Sequence, residues 1–413
     1  MNKQRVFGLL CALAVLLCAP LTAVAEGGGT VLYDEESGES LEALLKEGEE
    51  AWPTVVTPVA AEQLAINAKG AVLMDQGSGT VLYEKDAHKH LPIASVTKVM
   101  TLLLVMEAID GGRLAWDESL ACSERAASMG GSQIWLEVGE IMTVEELVKA
   151  AAVVSANDAC AMLAEHLCGT LEAFVAAMNE RAAALGMQDT HFVDCSGLDD
   201  SGYSCAYDVA VMSRELMTHP DIRKFTTIWM DSLRGGKSQL VNTNKLVRHY
   251  AGATGLKTGT TQAAGHCLAA TATKNGTSFV AVVLGCATTN DRFGGARAML
   301  DYGFASYVAY TPDAGALDLP PIPVLHGQQT AVPVRVDAPP SLLLKKGTES
   351  TVQSAVELAT DLQAPVLAGQ TVGTWRLTVG QEVLCEYPVL AAADVPQMDF
   401  RHAYTLLWEA LIK

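Results

Sequence analysis

The sequence predicts an α/β domain followed by a small all-β domain, and three features carry that expectation. Two hairpin patterns, at 71–83 and 265–285, bracket a stretch in which helical periodicity dominates from Leu91 to about Cys168. From about Pro312 the character changes to short alternating segments. The chain has 413 residues, half of them hydrophobic and 18% charged, which is enough for two ordinary domains with ample cores.

The first 25 residues read as an export signal. Lys3 and Arg5 precede an apolar run from Val6 to about Leu21, and Ala23-Val24-Ala25 supplies a small-x-small cleavage site, so the mature chain is expected to start at Glu26. Pro20 within the run argues against an uncleaved anchor, and neither Cys11 nor Cys18 is set in a lipoprotein signal. Residues 26–58 are Gly- and Glu-rich with Lys46 the only basic residue, which predicts a solvated acidic spacer. Loss of Lys3 and Arg5 takes the formal charge from −19 to −21, which argues against nucleic acid or an anionic membrane as an electrostatically driven partner.

Eight cysteines follow the leader, at 122, 160, 168, 195, 205, 267, 286 and 385. Most lie in apolar surroundings, and a domain this large does not depend on disulfides, so mostly free, buried thiols are expected, with Cys195 and Cys205 the pair most open to doubt. The offsets among Cys160, His166 and Cys168 do not resemble a CxxC knuckle, and no metal or organic cofactor is expected.

A folded body is expected over 59–310. Ala71-Val72-Leu73-Met74-Asp75, Gly77-Ser78-Gly79 and Thr80-Val81-Leu82-Tyr83 read as strand, turn and strand. Pro92 then precedes Ile93-Ala94-Ser95-Val96-Thr97-Lys98-Val99-Met100-Thr101, with Val96, Val99, Met100, Leu103, Leu104 and Ile109 at the spacing of one buried helix face. Ser95 is expected to open that helix, its hydroxyl close to backbone N–H groups that have no intrahelical partner. Lys98 stands three residues on, on the same face, which places a candidate base one turn from a candidate nucleophile. An isolated S-x-x-K reads as readily as an N-cap and a solvated lysine; what lies downstream decides between the two.

Thr143-Val144-Glu145-Glu146 has the form of a capping box before the apolar run 147–154. That run leads into Ser155-Ala156-Asn157-Asp158, read either as a break between helices that points side chains at a cleft or as a plain helix cap. Lys257, in Gly255-Leu256-Lys257-Thr258-Gly259-Thr260-Thr261, is expected to end a strand, with small residues after it that let a ligand approach the backbone. Asn275-Gly276 between 265–273 and 278–285 predicts a type I′ hairpin. Pro320, Pro321 and Pro323 mark the boundary of the all-β domain, expected over 311–396 with alternation at 330–336 and 375–379. In the tail, 397–413, Phe400, Tyr404, Leu407, Trp408 and Leu411 fall on one helical face, with Arg401, Glu409 and Lys413 elsewhere. Such a stripe suits either a membrane interface or docking onto the β domain.

Three weak signals thus occur in a fixed order: S-x-x-K on Ser95 and Lys98, S-x-N on Ser155 and Asn157, and K-T-G on Lys257, Thr258 and Gly259. That order is the signature of penicillin-recognising serine acyl-transferases. From about 68 to 307 the chain resembles the serine-type D-Ala-D-Ala carboxypeptidases, the low-molecular-mass penicillin-binding proteins. The resemblance includes Gly130-Gly131-Ser132, Ser155-Ala156-Asn157-Asp158-Ala159, Gly197-Leu198-Asp199-Asp200, Asn242-Thr243-Asn244-Lys245-Leu246 and Ala264-Gly265, and more loosely Ala364-Pro365, Gly369 and Val372-Gly373. Ala156 stands where this family usually has glycine.

The resemblance implies a β-lactamase/transpeptidase-like domain, a central antiparallel sheet with flanking helices, and a helical lobe carrying Ser155 and Asn157 across the cleft. It implies Ser95 as nucleophile on the penultimate D-Ala carbonyl and Lys98 as base, in a setting where burial and a second cation such as Lys257 disfavour its charged form. Ser155 would relay the proton to the leaving amine, and Asn157 would bond the substrate amide and Lys98. The N–H groups of Ser95 and Thr260 would make the oxyanion hole, Thr258, Thr260 and Arg292 would hold the free carboxylate, and Gly259 stands with them among the implied substrate-binding residues. Implied partners are the peptidoglycan stem peptide and β-lactams as covalent inhibitors, outside the cytoplasm, with peripheral contact at the outer face of the cytoplasmic membrane through the tail. A class A β-lactamase would need an E-x-x-x-N pattern that 190–197 lacks, and an appended β domain is unexpected there. Intact Ser95 and Lys98 argue against a non-catalytic wall-binding protein, while an endopeptidase on the same fold stays open.

Overall fold

The computed structural model describes residues 30–32, 64–337 and 339–412; the expected leader and almost all of the expected spacer lie outside them. The hairpin at 71–83 forms as strands β1 (Gly70–Asp75) and β2 (Val81–Lys85), and a single 3-10 turn (Ala94–Thr97) leads into helix α1 (Lys98–Asp110). The α-helix therefore starts at Lys98, not at Ser95. Ala94, at φ +46°, turns the chain sharply into the 3-10 segment, and the tighter winding of three residues per turn eclipses positions i and i+3.

Helical periodicity across 91–168 is interrupted by a two-stranded ribbon, Ser119–Ala121 with Ile141–Thr143. After it come α2 (Val144–Val153) and α3 (Asn157–Cys168). The capping box forms in both directions: Glu146 N–H donates to Thr143 Oγ1 at 3.2 Å, and Thr143 N–H to Glu146 Oε2 at 3.0 Å. Between the helices Ser155 adopts φ +63°, so the chain truly breaks at Ser155-Ala156, and Asn157 and Asp158 open α3. Helix α4 (Ala206–Leu216) follows.

Strands β3 (Ala253–Thr261), β4 (Gly265–Lys274) and β5 (Thr277–Cys286) complete a five-stranded antiparallel sheet of order β2-β1-β5-β4-β3. Asn275 and Gly276 both have positive φ, at +50° and +78°, as a type I′ turn requires. Helix α5 (Thr289–Ser306) comes next. Ala71, Leu73, Phe279, Ala281 and Val283 pack with Phe293, Ala296, Met299 and Leu300 of α5 in one core, while Val72, Met74, Val280 and Val282 face a second core that includes α1, α4 and the helical lobe. Adjacent strand residues entering different cores is the period-2 alternation of a sheet buried on both faces.

The all-β region has its own core around Trp375, Leu377, Val389 and Val395. Its main sheet pairs Val352–Leu358, Thr371–Val379 and Glu382–Ala391, with Val334–Arg335 at the other edge. Alternation at 330–336 yields only two dyads, Ala331–Val332 and Val334–Arg335, because Pro333 between them has no N–H for a ladder. The tail is helix α6 (Phe400–Ile412), with no buried residue. It does not dock onto the β domain: Phe400, Tyr404, Leu407, Trp408 and Leu411 are 57–86% exposed.

The eight described cysteines are all free, and six of them are buried, Cys195 and Cys205 included.

Candidate active site

The 3-10 turn delivers the first pair. Lys98 Nζ donates to Ser95 Oγ at 2.8 Å and to the Ser196 carbonyl at 2.7 Å, and the lysine is fully buried. The Ser196 contact was not legible in the sequence, since it comes from a loop 98 residues away. That loop is built on Asp194, whose carboxylate accepts from the N–H groups of Ser196, Gly197 and Asp199. Gly197, at φ +81°, lies directly against the 3-10 turn of Ser95, where a Cβ would meet the Ala94 carbonyl and Thr97 Oγ1. The Gly197-Leu198-Asp199-Asp200 motif thus braces the turn that carries Ser95.

The helical lobe contributes the second group. Ser155 and Asn157 are buried, and neither Ser155 Oγ nor Asn157 Oδ1 has a hydrogen-bond partner. Asn157 Nδ2 donates to the Gly130 carbonyl at 2.7 Å, and Asn157 N–H donates to the Ser132 carbonyl at 2.7 Å. The expected bond from Asn157 to Lys98 is absent: Nδ2 goes to the Gly130 carbonyl and Oδ1 has no partner, while Lys98 Nζ goes to Ser95 Oγ and the Ser196 carbonyl. Two buried polar oxygens without partners are costly in a folded protein, and both can accept from N–H groups.

Asp158, beside them, has a role that sequence reasoning missed. Its carboxylate is buried and accepts from the N–H groups of Ile134, Leu136 and Ala159 at 2.9–3.2 Å, so it ties the 130–136 segment to α3. Burial pushes this carboxyl above its ordinary range, against the opposing pull of those N–H groups. The S-x-N-D run held the signal: a carboxylate in the first turn of a helix, set in an otherwise apolar lobe.

Strand β3 supplies the third group. Lys257 does not end the strand but sits at its middle, buried, with Nζ donating to the Thr258 carbonyl at 2.9 Å. The small residues after it continue the ladder with β4, Thr258 opposite Leu268 and Thr260 opposite His266. Thr258 Oγ1 meets Thr243 Oγ1 at 2.6 Å, and Thr243 N–H reaches the Val153 carbonyl at the end of α2, so the Asn242-Thr243-Asn244 segment joins strand to lobe. A Cβ on Gly259 would stand 2.7 Å from the Ile93 carbonyl and 2.9 Å from the nitrogens of Ser95 and Val96. Only glycine lets the strand lie this close to the 3-10 turn of Ser95.

Arg292 is in the first turn of α5 and 2% exposed, which excludes a surface arginine. Its Nη1 donates to Thr260 Oγ1 at 3.1 Å. The structure therefore brings Ser95, Lys98, Gly259, Thr260 and Arg292 into one connected arrangement along β3, with Ser155 and Asn157 on the lobe. Cys160 of α3 is fully buried, and burial pushes its thiol up to about 11. A hydroxyl bonded to an amine, buried acceptors without partners on the lobe, and a buried guanidinium at the strand are groups that acyl transfer on a carboxylate-terminated peptide can use.

Comparison with known proteins points the same way. Residues 57–288 match the family model described as D-alanyl-D-alanine carboxypeptidase, and 319–397 match that of the penicillin-binding protein 5 C-terminal domain. The chain is 41% identical over 343 residues to D-alanyl-D-alanine carboxypeptidase DacF of Bacillus subtilis, covering 82% of this chain and 88% of that one. Penicillin-binding protein 5 of Haemophilus influenzae superposes with a TM-score of 0.72 at 29% identity, over 83% of this chain and all of the other. Penicillin-binding protein D2 of Listeria monocytogenes, in an ampicillin-bound form, superposes with a TM-score of 0.54 at 34% identity over 59% of this chain and 99% of the other.

Proposed function

The chain belongs to the D-alanyl-D-alanine carboxypeptidase family of serine hydrolases, and from that premise we propose that it removes the terminal D-Ala from peptidoglycan pentapeptide stems through an acyl-enzyme on Ser95, which β-lactams trap. The bond between Lys98 Nζ and Ser95 Oγ carries this reading. In the attack the direction of that hydrogen bond reverses: Ser95 passes its proton to Nζ as Oγ attacks the carbonyl of the penultimate D-Ala. The oxyanion that forms is held by the N–H groups of Ser95 and Thr260. Ser155 hands the proton on to the leaving nitrogen, the C–N bond breaks and D-alanine departs. Water then attacks the ester, gives its proton to Lys98, and returns Ser95 to the free hydroxyl while the shortened stem leaves.

Asn157 Oδ1 accepts from a substrate amide, which supplies its missing partner. Arg292, with Thr260 and Thr258, holds the terminal carboxylate; a permanently charged planar fork matches that group. Incubation with a stem pentapeptide ending in D-Ala-D-Ala is expected to release one equivalent of D-alanine per peptide, and no release would sink the assignment.

For location, we propose export through residues 1–25 and contact of α6 with the outer face of the cytoplasmic membrane. The exposed apolar stripe supports this. Thirteen residues span only about 20 Å, too short to cross a bilayer core, so the helix would lie in the interface.

A further inference from the structure

Away from the acyl-transfer residues, three side chains from separate parts of the chain converge. His88 Nδ1 lies 2.9 Å from Asp189 Oδ2, and Cys205 Sγ lies 3.9 Å from the same oxygen. The donor atoms of the three all fall within 4.8 Å of one another. The other carboxylate oxygen, Asp189 Oδ1, is 2.9 Å from His90 Nε2. We propose that His88, Asp189 and Cys205 form a site for a zinc-class divalent cation, with His90 orienting the Asp189 carboxylate from behind.

The donor set selects the class of ion. One imidazole nitrogen, one carboxylate oxygen and one sulfur suit zinc and its borderline neighbours, whereas calcium and magnesium take oxygen ligands. Three protein ligands leave a fourth tetrahedral position for water, and His88 is largely exposed, which gives the ion a way in. A carboxylate held by a further histidine is the outer-shell arrangement that orients metal ligands. The surroundings hold each ligand in place: His90 stacks on Tyr203 at 4.6 Å, His88 sits 4.9 Å from Tyr207, and Asp189 N–H donates to Asp208 Oδ2 at 2.9 Å.

Cys205 is fully buried at the N-cap of α4, where its sulfur accepts the Asp208 N–H at 3.3 Å. Burial, reinforced by the Asp208 and Asp189 charges, pushes its thiol up to about 12. A bound dication reverses that balance: the sulfur–metal bond forms as the S–H proton leaves to solvent, and the hydrogen between His88 Nδ1 and Asp189 is displaced in the same way.

The site also joins two segments that matter elsewhere. Leu91 and Ser204 exchange backbone hydrogen bonds at 2.8 and 3.0 Å, and Tyr207 N–H donates to the Ala87 carbonyl at 3.0 Å. The first segment runs on to Ser95, and the second is the continuation of the loop whose Ser196 carbonyl holds Lys98. An ion here would fasten the two together behind the nucleophile turn.

The test is cobalt(II) and zinc(II) titration of untagged, metal-stripped protein. One equivalent of Co²⁺ is expected to give a near-ultraviolet thiolate-to-cobalt charge-transfer band, which Cys205→Ser abolishes and Cys160→Ser leaves intact. His88→Ala, on an exposed residue and so expected to fold, should weaken Zn²⁺ binding at least tenfold while its circular dichroism matches wild type. Absence of one-to-one binding, a charge-transfer band that survives Cys205→Ser, or an unchanged Zn²⁺ affinity in His88→Ala would each overturn the site.

Discussion

Lys98 Nζ stands 2.8 Å from Ser95 Oγ and is anchored from behind by the Ser196 carbonyl at 2.7 Å. The Ser95 hydroxyl is thus tied to an amine whose position is set by a distant loop, as the proposed roles of nucleophile and base require. A penicillin should accordingly add once, on the peptide that contains Ser95, as read by intact mass and peptide mapping. Labelling that persists in Ser95→Ala would refute the assignment. Lys98→Met, which keeps the stem and removes the amine, is expected to slow acylation by about 10²–10⁴-fold, the usual range for a lost general base.

Gly259 offers a test of the close approach between β3 and the nucleophile turn. A methyl there meets the Ser95 and Val96 nitrogens at 2.9 Å, so Gly259→Ala should displace an oxyanion donor and reduce the acylation rate by roughly 10²-fold or more. Gly276→Ala is the contrast: at φ +78° with open space around it, it should lower stability by about 1 kcal/mol yet leave acylation unchanged. Fluorescent-penicillin labelling kinetics separate the two.

Arg292 distinguishes a carboxypeptidase from an endopeptidase. Charge-assisted hydrogen bonds contribute roughly 1.5–3 kcal/mol, so Arg292→Ala should lower kcat/KM on a peptide with a free D-Ala-D-Ala end by about one to two orders of magnitude. Hydrolysis of the C-terminal amide of the same peptide, slow to begin with, should change little. Equal losses on acid and amide would assign Arg292 to support of the fold.

Asp158 predicts a stability effect with a defined pH sense. Asp158→Ala strips the Ile134 and Leu136 N–H groups of their acceptor, at roughly 1–3 kcal/mol for each buried donor left unsatisfied; denaturant melts should show a loss of at least about 2 kcal/mol. Burial raises the folded-state carboxyl above 3.8, so the folded protein holds this proton more tightly than the unfolded chain. The resulting stability is fully present below the unfolded value and is lost as pH rises through the folded one. Wild type should therefore gain on the non-titrating Asp158→Asn as pH is lowered toward 4, and a gap that narrows instead would contradict the assignment.

For α6, the longer chain should bind liposomes and protein ending at Pro396 should lose that binding. Equal partitioning of both would exclude the helix as a membrane contact.

What the sequence determined by itself is what depends on neighbours a few residues apart. The three-residue spacing of Ser95 and Lys98, the reciprocal cap of Thr143 and Glu146, and the Asn275-Gly276 turn were legible because local backbone geometry sets them. Tertiary structure decided the rest. Lys257 lies in mid-strand because β4 continues to pair with Thr258–Thr261 beyond it, a fact of register that strand propensity does not carry. Asp158 reaches back 24 residues to Ile134, and Arg292 reaches 32 to Thr260. No periodicity encodes those distances; they follow from how the lobe and α5 pack on the sheet, where burial makes each polar group take whatever partner the folded chain brings within reach.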